Sequence, residues 1–163
     1  MASKVTAIPD RAHTIAPYLS VSNAPEMIDF YKRAFGATES YRLRMPDGKI
    51  GHAEIKIGAA TIMLADEFPE MGLLSPKSQS IARSPVAIHL YVEHVDAVYT
   101  RAIAAGATSV KAPEDEFFGE RNAHMTDPSG HLWFLSSRIE EVSPEEMQRR
   151  LDAAMEQGED KKE

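Results

Sequence analysis

The chain contains a repeat of itself. Residues 15–40 read IAPYLSVSNAPEMIDFYKRAFGATES, and residues 88–110 read IHLYVEHVDAVYTRAIAAGATSV. Each copy is a short strand, a helix, then Gly-Ala-Thr and a new strand, with Val21 matching Val92 and Gly36 matching Gly106. A unit this small cannot bury its apolar face alone, so the repeat predicts two stacked or joined modules around shared contacts.

Alternation assigns the strand faces. In the first strand Ile15, Leu19 and Val21 share one side, and Ala16, Tyr18 and Ser20 the other. In its counterpart Ile88, Leu90 and Val92 oppose Ala87, His89 and Tyr91. The aliphatic side packs on the following helix. The side bearing Tyr, His and Ser faces a wetter space.

Asn23 caps the first helix, with Glu26 three residues on and Pro25 in the first turn. Met27, Ile28, Tyr31, Ala34 and Phe35 form its apolar stripe, and Gly36 ends it. Val95, Val98, Tyr99, Ala102 and Ile103 do the same for the second helix, which Gly106 ends. Turns at Pro46-Asp47-Gly48, Gly58-Ala59 and Asp127-Pro128-Ser129-Gly130 complete hairpins after each helix. The reading is α+β: two βαβββ modules, near 13–66 and 86–138, forming a curved sheet around a cavity, plus a C-terminal helix near 143–157. Residues 67–85 form a long linker, and loops of that length are functional or contact a partner. Met147, Leu151, Ala154 and Met155 give the tail helix an apolar edge for its own domain or a second subunit.

Bulk properties narrow the partners. The net charge of −7 lacks the basic stripe of a nucleic-acid binder. No stretch approaches the ~18 apolar residues of a membrane span, and no signal core opens the chain. Absence of cysteine fits a reducing compartment, so a cytoplasmic location is expected. No Gly-rich phosphate loop, nucleophile elbow or HExxH is present, and the sequence names no cofactor.

With IDFYKRAFGA in the first helix and DPSGHLWF at the last hairpin, the chain resembles the glyoxalase/bleomycin-resistance/dioxygenase (vicinal-oxygen-chelate) superfamily from near Ile15 to near Ser137. The PYLSV opening and HAEIKIGAATIMLADEFPE look more narrowly like its PhnB-like branch. The resemblance implies two modules around a cavity, commonly as a homodimer. It spans metal-dependent isomerases, lyases and dioxygenases as well as metal-free drug-binding proteins. It puts the superfamily's four metal-ligand positions at Ala16, Met63, Ala87 and Phe134, none of which is a usual ligand for zinc, magnesium or iron. His13 lies just upstream of the first of them.

The primary expectation is therefore a small-molecule-binding protein without the usual metal site, its pocket lined by Tyr18, His52, Met63, Tyr91 and Phe134. Strand 49–57 places His52, Glu54 and Lys56 on the cavity side, and a two-residue turn at Gly58-Ala59 sets Glu54 directly opposite Met63. Glu54 and His89 are the candidate catalytic pair, as acid and base. An alternative is a metal-dependent lyase, isomerase or dioxygenase with a relocated site at His52, Glu54 and His89, a two-His-one-carboxylate set. Arg121 is a weaker candidate for an anionic ligand, and Asp66-Glu67 reads as solvated loop.

Overall fold

A computed structural model describes residues 7–9 and 14–159. His13 and the last four residues lie outside it. In chain order the elements are β1 (Tyr18–Val21), α1 (Ala24–Phe35), β2 (Thr38–Arg44), β3 (Ile50–Ile57), β4 (Ala60–Asp66), β5 (Ala87–Tyr91), α2 (Val95–Ala105), β6 (Thr108–Asp115), β7 (Glu120–Thr126), β8 (Leu132–Arg138) and α3 (Pro144–Glu159). The predicted α+β architecture is present, as two four-stranded sheets ordered β1-β4-β3-β2 and β5-β8-β7-β6. In each, the first strand runs parallel to the last and the remaining pairs are antiparallel.

The local signals act as their chemistry requires. Asn23 Oδ1 accepts from the Glu26 amide at 3.2 Å, satisfying one orphan donor of α1. Gly36 ends the helix at φ 68°, a left-handed conformation that costs glycine little. Gly58, at φ 56°, makes the tight turn that pairs Ile57 with Ala60 and Glu54 with Met63.

One core serves both modules. Met27, Ile28, Phe30, Tyr31 and Ala34 of α1 are buried with Leu19, Val21, Ile55 and Leu64 beneath them. Trp133 of β8 joins this core, its ring 4.7 Å from Phe35 and 5.6 Å from Tyr31 of α1. Arg101 Nε donates to the Ala34 carbonyl at 2.9 Å, tying α2 to the end of α1. Below this joint sits Asp127 of the DPSG turn. Its carboxylate accepts from Tyr31 Oη at 2.7 Å, Trp133 Nε1 at 3.0 Å, and the Ser129 and His131 amides at 3.0 Å each.

Several expectations need correction. Ile15 lies before β1 and is 85% exposed, because the strand begins only at Tyr18. Asp66 is no loop residue: it ends β4, buried, and accepts from the Ala24 and Ile50 amides at 2.7 Å each. The linker has structure of its own. Phe68 bridges to Leu73, Glu67 accepts from the Ser75 amide, and the Lys77 amide donates to the Ser129 carbonyl. On α3, Leu151 and Met155 remain exposed. Among the described residues no helix is long and apolar enough to cross a membrane.

Candidate functional site

The helices cover one face of each sheet, and the candidate residues stand on the other. In the first module the register carries Tyr18, Met63, Glu54 and Tyr41 straight across β1, β4, β3 and β2. His52, two residues from Glu54, shares their face. Polar contacts connect this row. The Tyr18 hydroxyl shares a hydrogen bond of 3.1 Å with His52 Nδ1. His52 Nε2 lies 3.6 Å from Glu54 Oε1, and Tyr41 Oη donates to that oxygen at 2.8 Å. Glu54 is 2% exposed, whereas Tyr18 is 50% exposed, so the string runs from the surface to a buried carboxylate. Burial, with Tyr41 nearby, raises the Tyr18 hydroxyl above its usual pKa and keeps it a donor.

The second module repeats the arrangement with other side chains. His89, Phe134, His124 and Lys111 cross β5, β8, β7 and β6 in register. Here rings replace the polar string: His124 stacks on Phe134 and His89 on Tyr91. Tyr91 Oη donates to Glu120 at 2.9 Å, which raises its pKa.

Between the edge strands β1 and β5 runs a cleft of about 480 Å³, whose lining includes Ala16, Pro17, Tyr18, Ala87, Ile88 and His89. Tyr18 and His89 thus meet one space. His52 and Glu54 stand together on the first sheet, and His89 is on the second. The relocated metal set is therefore not assembled. Among the described residues no three His, Asp or Glu side chains gather as a metal site within one chain. The physical reason is that His89 belongs to the other sheet and packs flat on Tyr91. Arg121 is also committed elsewhere, paired with Asp96 at 2.6 Å and Asp115 at 2.7 Å, so it is not a free anion receptor.

Alternation within β7 alone leaves the face of His124 open. The repeat holds the signal, since His124 sits opposite Phe134 as Glu54 sits opposite Met63. Burial, and secondarily Lys111, lowers its pKa and favours the neutral ring.

The sequence profile of the Glyoxalase/Bleomycin resistance protein/Dioxygenase superfamily matches residues 11–135. The chain belongs to that superfamily. An uncharacterized protein of Mycobacterium tuberculosis is 43% identical over 140 residues, covering 85% of this chain and 82% of the relative. Among solved structures, an Arabidopsis thaliana gene product aligns with a TM-score of 0.62 at 26% identity, over 76% of this chain and 98% of that one. The fosfomycin resistance protein FosX from Mesorhizobium loti aligns with a TM-score of 0.57 at 16% identity, over 77% and 91% of the two chains, a likeness of fold alone.

The superfamily's usual metal does not fit the residues at its expected positions. Ala16 and Ala87 present methyl groups to the cleft, and Phe134 is stacked under His124. Met63 offers only a thioether, a soft ligand unsuited to zinc, magnesium or iron.

Proposed function

We propose that this superfamily member binds a small organic molecule in the cleft between β1 and β5, without a metal at the four usual positions. The observation that carries the reading is the lining itself: two of those positions, Ala16 and Ala87, are apolar walls of one cleft shared with Tyr18 and His89. Binding clefts are mostly apolar with a few placed polar groups, and the Tyr18–His52–Glu54 string and the Tyr91–His89 pair supply them. Met63 and Phe134 extend the floor on either sheet. Glu54 and His89 are the groups assigned to exchange protons with the bound molecule. The HAEIKIGAATIMLADEFPE stretch supports placement in the PhnB-like branch. Exposed Leu43 and Met45 support a homodimer, and the absence of cysteine supports a cytoplasmic setting.

Thermal-shift screening of a metabolite library, with chelator present throughout, tests the reading. Hits raise the melting temperature of the parent protein, and Ala16→Trp, which fills the cleft, removes the shift while folding normally. Hits that stabilise Ala16→Trp equally well would place the ligand elsewhere. A hit that is also consumed loses turnover in Glu54→Gln.

A further inference from the structure

A second cavity lies on the helix side of the molecule, where the two modules and the linker meet. Its volume is about 380 Å³, and it shares no lining residue with the cleft between β1 and β5. Small-molecule sites begin at about 300 Å³ and favour such junctions. One wall is α1, with Glu26, Asp29 and Arg33, and the linker adds Lys77. Ala105 of α2 and Pro128 of the DPSG turn close the side that belongs to the second module. Met27 and Phe30, 2% and 1% exposed, form an apolar floor.

The walls are fixed before any ligand arrives. Ser129 is fully buried, and its Oγ accepts from the Ser22 amide and shares a hydrogen bond with Ser22 Oγ, at 3.1 Å each. Its carbonyl accepts from the Lys77 amide at 3.0 Å. Gly130 lets the linker lie this close, since a Cβ there would stand 2.9 Å from the Lys77 nitrogen. One turn thus anchors both the entry to α1 and the backbone of Lys77.

Four charged side chains ring this cavity, two acidic and two basic. Among the described residues none of the four forms an ion pair. Asp29 and Arg33 stand at i and i+4, the spacing and order at which a helix pairs an acid with a base. Arg33 instead turns Nη2 toward the Ala105 carbonyl of the other module, at 3.4 Å. Charges of both signs around one cavity, none satisfied by another, fit a ligand that itself carries both.

We propose that this cavity binds a small zwitterion of about dipeptide length, at a site separate from the cleft. Glu26 and Asp29 hold its ammonium group, Arg33 and Lys77 hold its carboxylate, and an apolar side chain rests on Met27, Phe30 and Pro128. At a rise of 1.5 Å per residue, Asp29 and Arg33 lie about 6 Å apart along α1. Two extended residues span about 7 Å, so a dipeptide reaches from the acids to the bases. A singly charged molecule satisfies one pair of side chains and leaves the other alone.

Three probes separate the two charges: L-alanyl-L-alanine, its N-acetyl derivative, which lacks the ammonium, and its C-terminal amide, which lacks the carboxylate. Each is titrated by ¹H–¹⁵N NMR into the full chain, into Lys77→Gln, into the double variant Glu26→Gln with Asp29→Asn, and into Ala16→Trp. The substituted charges are exposed, so these variants keep the fold, which circular dichroism checks. Dialanine binds the parent and shifts the amide signals of Lys77 and Ala105. Lys77→Gln and the acid double variant each weaken it about fivefold, the scale of a partly exposed charge pair. Either blocked peptide, which loses two such pairs, binds the parent at least about tenfold more weakly than dialanine. Ala16→Trp binds dialanine like the parent, because cleft and cavity share no wall. Equal affinity for all three peptides overturns the proposal, as does equal affinity of the parent and both charge variants. Shifts confined to β1 and β5 put the peptide in the cleft and reject the cavity. Absence of any shift with dialanine also overturns it.

Discussion

Glu39 shows how one side chain sets a pH limit. Arg42 holds it with two hydrogen bonds and Lys32 with a third, and together they lower its carboxyl from 4.5 to about 2. The folded pKa lies below the unfolded one, so this stabilisation is fully present above about pH 4.5 and is lost as pH falls toward 2. Glu39→Gln removes it: urea midpoints of the variant fall less steeply than the parent's across that window. Parallel acid limbs would assign the acid sensitivity to other carboxylates. At this scale the sequence reveals which residue types are present and little of their pairing. Glu54 was legible because alternation and the Gly58-Ala59 turn fixed both its face and its partner Met63. The hydrogen bond from Tyr41 was not legible, because β2 shifts register against β3 between Glu39 and Tyr41 and that bulge has no sequence mark.

Among elements, the joint between α1 and the β7–β8 turn is the critical one. Asp127 receives Tyr31 from the helix and Trp133 from the strand, and Tyr31 is pushed well above its usual pKa by burial and by this carboxylate. In Asp127→Asn the two donors meet a neutral amide that offers one acceptor and competes with donors of its own. The expected loss is about 2–3 kcal/mol in urea unfolding, and an unchanged midpoint would mean that the joint does not bind the modules. Helix and strand identities were readable from capping at Asn23, the Gly36 and Gly106 stops and strict alternation. The face of His124 was carried only by the repeat, in which His124 opposite Phe134 matches Glu54 opposite Met63. The inward course of Asp66 also escaped: a carboxylate beside Glu67 looks solvated until the amides of Ala24 and Ile50 are seen to claim it.

In the whole molecule, two sheets of one design face a common cleft with unlike walls. The repeat and the superfamily motifs made that architecture legible. They could not bring His52, Glu54 and His89 together, because no local signal specifies the distance between two sheets that share no strand pairing. The cleft lined by positions where the superfamily holds its metal is the proposed ligand site. Ala16, Ala87 and Met63 carry methyl groups at three of those four positions. The most direct measurement is therefore a methyl ¹H–¹³C spectrum of alanine- and methionine-labelled protein, recorded with chelator while ligands from the screen are added. The three methyl signals are expected to shift together, with one saturation curve. Ligands that bind and leave all three unmoved would contradict it.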